Sequence, residues 1–139
     1  MIVLDTNVIS EIMRIEIDHR VEEWFGRQMS GTLWTTAISL AEIALGMESL
    51  PEGRRKSLLR GGVEHVFSDQ FEGRIIPFDE RAARAYGQIV AQARSRGRSI
   101  QIADGQIAAI AKVHGFTVAT RDTSPFEAAG VSVVDPWSL

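Results

Sequence analysis

The chain opens with Met1-Ile2-Val3-Leu4-Asp5-Thr6-Asn7-Val8-Ile9-Ser10, an apolar run that ends at an acidic residue. Residues 2–4 show no alternation of apolar and polar side chains, which is typical of a strand buried on both faces of a parallel sheet. Asp5 follows this run directly. In open parallel sheets, functional groups collect just beyond the carboxyl ends of the strands. The opening therefore predicts an α/β fold with a functional carboxylate at the end of its first strand.

Further apolar runs and helical patterns alternate along the rest of the chain. Strands are predicted at 33–35, 75–76, 117–119 and 131–134. Apolar residues at helical spacing predict helices around 21–28, 38–47, 58–67, 82–93 and 103–111. The third helix is expected to be interrupted or bent at Gly61-Gly62, the fourth to end before Gly97, and the fifth to end at a Gly115 cap. The pattern predicts one α/β domain, 1–139, around a parallel sheet.

Composition excludes several classes of protein. The 139 residues carry a formal net charge of −3, with 45% hydrophobic and 24% charged residues, which is typical of a globular domain. The absence of cysteine excludes a disulfide scaffold and thiolate chemistry. The first ten residues lack the basic region of a signal peptide, and no apolar run approaches the roughly 20 residues that span a bilayer. We therefore expect a cytoplasmic protein with no membrane partner.

Three more carboxylates occupy positions similar to that of Asp5. Asp122 follows the fourth predicted strand, Glu42 lies about one turn into the helix after the second strand, and Asp104 lies in the first turn of the last long helix. Each has a local alternative role. Asp5 with Thr6 could cap a helix, and Asp104 would interact favourably with a helix dipole. Glu42 could be a solvent-facing helix residue, and Asp122 could form an Asx turn. If the strand ends are neighbours, however, the four carboxylates meet at one rim.

Crowded carboxylates predict a cation site. Each close pair repels by roughly 4 kcal/mol at an effective dielectric near 20, so such a cluster persists mainly where divalent ions compensate it. Oxygen ligands, with no cysteine and with all three histidines distant in sequence, favour Mg²⁺ or Mn²⁺ over zinc. We expect Asp5, Asp104 and Asp122 to hold the metal, and Glu42 either to bind a metal-bound water or to orient the nucleophile. This donor set is typical of phosphoryl transfer or phosphodiester hydrolysis.

Arginines provide candidate contacts to a polyanion. Thirteen of the 15 cationic residues are arginine, which suits bidentate phosphate binding. The alternative is that they are solvated residues on helix faces. Several of the arginines form two clusters in the sequence. We rank the second cluster first as a phosphate-binding candidate, because it lies closer in sequence to Asp104. The candidate contacts to such a polyanion are Arg54 and Arg55 in the first cluster, and Arg94, Arg96 and Arg98 in the second.

The motifs, taken in order, resemble those of PIN-domain ribonucleases, specifically VapC-type toxins of the FitB-like branch. They are residues 1–11, Ala41-Glu42, Pro77-Phe78-Asp79, residues 103–109, Thr120-Arg121-Asp122-Thr123 with Phe126, and Asp135-Pro136-Trp137. The resemblance implies a three-layer α/β/α fold around a five-stranded parallel sheet. It maps the family's acidic positions onto Asp5, Glu42, Asp104 and Asp122, and its supporting polar positions onto Thr6, Asn7 and Thr120.

The same resemblance implies the function of a type II toxin, an Mg²⁺- or Mn²⁺-dependent endoribonuclease. The implied partners are an RNA substrate, a cognate antitoxin that blocks the site, a second copy of the chain in a homodimer, and operator DNA reached only through the toxin–antitoxin complex. The alternative is a binding module that acts mainly with a DNA-binding antitoxin in transcriptional control, with little nuclease turnover. No residue in the motifs specifies which RNA is cleaved.

Overall fold

The computed structural model describes residues 1–139 and contains one parallel sheet of five strands in the order β3-β2-β1-β4-β5. The strands are β1 (Ile2–Leu4), β2 (Leu33–Thr36), β3 (Ile75–Ile76), β4 (Thr117–Ala119) and β5 (Val133–Val134). The predicted strand at 131–134 is too long by two residues. Val131 instead donates its backbone N–H to the Phe126 carbonyl in the turn after the last helix, so it cannot join the ladder.

Seven α-helices connect and flank the strands. They are α1 (Thr6–Ile12), α2 (His19–Gly26), α3 (Ala37–Glu48), α4 (Arg54–Glu64), α5 (Glu80–Ser95), α6 (Ile102–His114) and α7 (Ser124–Ala128). Helix α5 ends before Gly97, and α6 ends at Gly115 in the left-handed conformation (φ 68°), as predicted. None of the helices combines the length and hydropathy needed to cross a membrane.

The interruption predicted at Gly61-Gly62 is wrong. Helix α4 continues through both glycines, and the irregularity comes later, where a π-helical segment extends the helix over His65–Gln70. Buried Val63 and Phe67 anchor this stretch in the core. Tertiary packing therefore outweighs the low helix propensity of the two glycines.

Two hydrophobic cores lie on opposite faces of the sheet. Val3 and Val118 belong to one core, together with buried residues of α5, α6 and α7. Leu4 and Ala119, their successors in the strands, belong to the other, together with residues of α1, α2 and α4. Successive side chains of a strand point to opposite faces. The predicted three-layer α/β/α architecture is confirmed.

The strand order places the end of β1 at a topological switch point. The chain leaves β1 toward β2 on one side of the sheet, whereas β4 pairs with β1 on the other side. At such a point the two connections diverge and open a crevice outside the carboxyl ends of the strands, where α/β proteins bind ligands. Asp5 and Thr120 come directly after the two strands that border this crevice.

Candidate active site

A buried carboxylate stands at the junction of β1 and β4. The register pairs Leu4 with Ala119, and the Asp5 backbone N–H donates to the Ala119 carbonyl over 2.9 Å. Thr120 therefore lies beside Asp5, and its hydroxyl donates to Asp5 Oδ2 at 2.8 Å. The other oxygen, Oδ1, caps α1 by accepting the Thr6 N–H at 2.7 Å. Asp5 thus has both roles considered from the sequence, a helix cap and a side chain at the rim.

Asn7 joins the start of α1 to the loop that follows β4. Its Nδ2 donates to Thr120 Oγ1 at 3.1 Å, and its Oδ1 accepts the Arg121 N–H at 3.3 Å. The Asp122 N–H in turn donates to Thr120 Oγ1 at 3.2 Å. These bonds fix the backbone that carries Asp122 relative to Asp5. The supporting polar residues expected from the resemblance therefore lie in contact with one another at this junction.

Glu42 is held in place by hydroxyl groups. The Thr6 hydroxyl donates to Glu42 Oε1 at 2.6 Å and lies 3.0 Å from the hydroxyl oxygen of Ser39. Ser39 is fully buried, and its N–H donates to the hydroxyl of Thr36, the N-cap of α3, at 3.1 Å. Sequence reasoning missed Thr36 and Ser39. The signal that marks Thr36 is a hydroxyl residue at the N-cap of a predicted helix.

Asp104 shares its electrostatic environment with the other three carboxylates. It lies half-buried in the first turn of α6, and burial raises its pKa to about 6, with further contributions from the charges of Asp5, Asp122 and Glu42. Burial likewise raises the pKa of Asp5, against the hydrogen bonds from Thr120 and Thr6, and the charges of Glu42 and Asp122 add to the rise. The four predicted acidic residues therefore lie within range of one another's charge at this rim.

No basic group of the chain forms an ion pair with a carboxylate of this cluster. None of the nine ion pairs in the structure includes any of the four carboxylates. No three acidic or histidine side chains are grouped closely enough to ligate one ion by themselves. Water must therefore complete the coordination shell of any ion that one or two of these carboxylates hold, which is the usual mode of binding for Mg²⁺.

The two arginine clusters occupy different surfaces. Arg98 lines a polar cavity of about 460 Å³ that Asp104 and Asp122 also line. Arg54 and Arg55 instead line a separate cavity of about 660 Å³ beside apolar side chains of α4 and the end of α1. The structure therefore brings Arg98 to the carboxylates and leaves Arg54 and Arg55 away from them.

The two remaining candidates do not line the acidic cavity. Arg96 donates to the carbonyl of Ala128 at 3.2 Å, at the end of α7. Arg94 is exposed in the last turn of α5. Arg121 was not among the predicted contacts, although it precedes Asp122 and its guanidinium lies 5.2 Å from the centre of the Trp137 ring.

Comparisons with known proteins agree with this architecture. The family model of the PIN domain matches residues 2–131. The chain is 48% identical to "VapC ribonuclease Y4jK" of Sinorhizobium fredii, covering 99% of this chain and 98% of that protein. It is 46% identical to "Toxin FitB" of Neisseria gonorrhoeae, covering 99% of both. The solved structure of FitAB bound to an IR36 DNA fragment superposes with a TM-score of 0.94 at 46% identity, covering 100% of this chain and 97% of that one. The chain belongs to the PIN-domain family, among relatives of the VapC and FitB type.

Proposed function

We propose that this protein is the toxin of a type II toxin–antitoxin system, a cytoplasmic Mg²⁺- or Mn²⁺-dependent endoribonuclease. The observation that carries the proposal is the cluster of four carboxylates at the switch point with no basic partner in the chain. Membership of the PIN-domain family and the similarity to a protein named a ribonuclease and to another named a toxin support it.

The donor set of the rim fits a hard divalent ion. All four side chains offer oxygen, and neither cysteine nor histidine lies among them. Asp5, Asp104 and Asp122 would hold the ion, directly or through water. A bound divalent ion supplies Lewis-acid polarisation of the phosphodiester, activation of water and charge stabilisation at the leaving oxygen. Binding would also relieve the repulsion that contributes to the raised pKa of Asp104.

Glu42 is the residue we assign to the nucleophilic water. The Thr6 hydroxyl binds Oε1, so Oε2 is free to accept a hydrogen bond from water and to take its proton. Such a group acts as a general base when it lies within hydrogen-bond reach of the nucleophile. Thr6, Asn7 and Thr120 are positioning residues in this scheme, because their hydrogen bonds fix the carboxylates and the loop that carries Asp122.

A second surface supports the proposed antitoxin partner. Met13, Ile15, Leu58 and Leu59 line the cavity of about 660 Å³ that also contains Arg54 and Arg55. Ile15 is fully exposed and Leu58 is 67% exposed. Exposed apolar residues grouped in this way mark interaction sites. We assign Arg54 and Arg55 to this protein interface rather than to RNA. Operator DNA bound through the antitoxin complex is part of the proposal through the similarity to FitAB bound to a DNA fragment. A homodimer is part of it as an expectation for a member of this family.

The test compares cleavage by the wild type and by Asp5→Asn, each purified without its partner. Labelled single-stranded RNA is incubated with Mn²⁺, with Mg²⁺ or with EDTA, and the fragments are resolved by size. We expect cleavage by the wild type with either ion, none in EDTA, and none by a folded Asp5→Asn protein. Glu52→Gln is the matched control. It neutralises a carboxylate that lies just before α4 and is already paired with Lys56.

Two outcomes would contradict the proposal. Cleavage that persists in a folded Asp5→Asn protein would mean that Asp5 is not part of the reaction centre. A folded wild type that cleaves no RNA with either ion, yet binds an antitoxin and its operator, would favour the alternative of a binding module in transcriptional control.

A further inference from the structure

The acidic rim continues into a polar groove whose other polar residues have no role in the proposed metal site. The groove, of about 460 Å³, runs between the segment joining α5 to α6 and the start of α7. Its volume lies in the range of roughly 300–1,000 Å³ that small-ligand sites occupy. Arg98, Ser99, Gln101 and Ser124 supply polar groups on its walls, and Asp104 and Asp122 line the same space. One groove therefore presents a cationic group and two of the carboxylates to the same ligand.

Arg98 has an unusual combination of position and partners. Its Nη2 donates to the Ser124 hydroxyl at 3.0 Å and to the Ser124 carbonyl at 3.2 Å. It makes no ion pair, although two carboxylates line the same groove. The guanidinium is therefore hydrogen-bonded to Ser124 and not paired with an acid, so its charge stays available to an anion that enters the groove.

Gln101 provides a second polar group without a structural role of its own. It is the N-cap residue of α6, but its side chain makes no capping hydrogen bond. The side chain is exposed in the groove. A primary amide donates and accepts at once, which matches the edge of a nucleobase.

We propose that this groove is a nucleotide subsite for the RNA strand, in which Arg98 binds the backbone phosphate next to the one at the carboxylates. Guanidinium is suited to this contact because its planar donors match two phosphate oxygens. Gln101 would contact the base of the same nucleotide. The subsite rests on the proposed function, because its occupant is the strand that the carboxylate rim acts on.

The experiment measures RNA binding in the Asp5→Asn background, which removes cleavage. A short labelled single-stranded RNA is titrated in Mg²⁺ over a series of KCl concentrations. Removing one cation that neutralises a phosphate reduces the slope of log K against log salt by about 0.7 for a single strand. We expect this reduction, with weaker affinity, for Arg98→Gln. Arg98→Lys is expected to keep the slope and bind several-fold more weakly, because it retains the charge without the planar fork.

Arg27→Gln is the control for net charge. Arg27 is the C-cap of α2, pairs with Glu23 and lies outside the groove, so neutralising it is expected to leave the slope unchanged. An equal slope for Arg98→Gln and Arg27→Gln would overturn the subsite. If Arg98→Gln does not fold, Gln101→Glu provides the test, because a negative charge in the groove should weaken RNA binding most at low salt. Unchanged binding by that variant would overturn the subsite as well.

Cleavage by the wild type is measured separately, so the two proposals can fail independently. Wild-type cleavage that Asp5→Asn abolishes, together with an unchanged slope in Arg98→Gln, would contradict only the subsite. Cleavage that survives in folded Asp5→Asn would contradict the proposed function, whatever the slope shows.

Discussion

Two charged regions of the molecule differ in how their charges are compensated. Where α3 gives way to α4, the Lys56 ammonium lies 2.8 Å from Glu52 and 3.6 Å from Glu48, and it donates to the Glu48 carbonyl at 3.2 Å. This Lys56 side chain is only 6% exposed. The hydrogen bond between Lys56 and Glu52 raises the pKa of the lysine and lowers that of the glutamate. At the acidic rim, by contrast, burial and like charges raise the pKa of Asp104.

The difference separates charges that the chain pairs internally from charges that it leaves unpaired. Glu52 and Lys56 lie four residues apart, so the chain neutralises them locally. Asp5, Glu42, Asp104 and Asp122 come from four distant segments, and none of them forms an ion pair with a cation of the chain. Their repulsion is relieved only by protons or by an external cation. Clusters of carboxylates with shifted pKa values are typical of functional sites for this reason.

Among changes that leave the four carboxylates intact, removing a hydroxyl from the rim should have the largest effect. Thr120→Val keeps the shape of the side chain and removes the donor to Asp5 Oδ2 and the acceptor for Asn7. Loss of a hydrogen bond to a metal-holding carboxylate typically lowers activity by about 10–100-fold. We expect that loss in RNA cleavage with folding retained, and recovery in Thr120→Ser. Full activity of Thr120→Val would show that the hydroxyl does not position Asp5.

Divalent ions should stabilise the folded protein by binding at the acidic rim, and not at the ion pairs of Lys56 with Glu48 and Glu52. A ligand that binds only the folded state at a hundredfold excess over Kd adds about 2.7 kcal/mol to the free energy of unfolding. We expect Mn²⁺ to raise the melting temperature of the wild type at neutral pH and to do much less near pH 4. Asp104→Asn should reduce this response, as followed by circular dichroism.

Lys56→Met tests the other half of the comparison. It removes the partner of Glu48 and Glu52, so it should lower the melting temperature by the same amount with and without Mn²⁺. An Mn²⁺ response in Asp104→Asn equal to that of the wild type would mean that the rim is not the metal site.

Packing next to Asp104 should matter for stability. A Cβ at Gly105 would lie 2.8 Å from Tyr86 Cε2 and 3.3 Å from Val90 Cγ2, so Gly105→Ala forces α5 and α6 apart or moves the Tyr86 ring. Overpacking of this kind costs about 1–3 kcal/mol. Gly87→Ala is the matched control. Gly87 lies in α5, and no atom lies within 4 Å of a Cβ built there, so this change should increase the free energy of unfolding by about 0.5–1 kcal/mol. Chemical denaturation gives both values, and a neutral Gly105→Ala would contradict the close packing.

The smallest expected effect is on the pH dependence without metal. The folded pKa of Asp104, about 6, lies above its ordinary value of 3.8, so the folded state binds more protons than the unfolded chain between these values. The contribution of Asp104 to stability is therefore fully present below about pH 4 and is lost as pH rises through 6. Solvent screening of this half-exposed group limits the loss to about 1 kcal/mol or less. Urea denaturation in EDTA at several pH values should show this fall in the free energy of unfolding with pH. Asp104→Asn should make the pH dependence weaker, and an equal dependence in Asp104→Asn and the wild type would contradict the raised pKa.

Local sequence information determined the elements and the residue types of the site. The apolar runs, the cap at Gly115 and the carboxylates that follow β1 and β4 were all predicted, because such signals depend on neighbours within a few residues. The prediction that two adjacent glycines interrupt a helix failed at Gly61-Gly62, where the packed side chains of Val63 and Phe67 keep the helix intact. The prediction of a strand from an apolar run also failed at Val131, whose N–H donates to the Phe126 carbonyl.

Only the tertiary structure decided which of these residues meet. Pairing of β4 with β1 brings Thr120 to Asp5 across 115 positions of the chain. Contact between α1 and α3 brings Thr6 to Glu42. The fold also directs Arg98 to the acidic groove and Arg54 to an apolar surface, a distinction that the two similar arginine clusters do not carry in sequence. Strand order arises from long-range burial of both sheet faces, so no short window of sequence contains it.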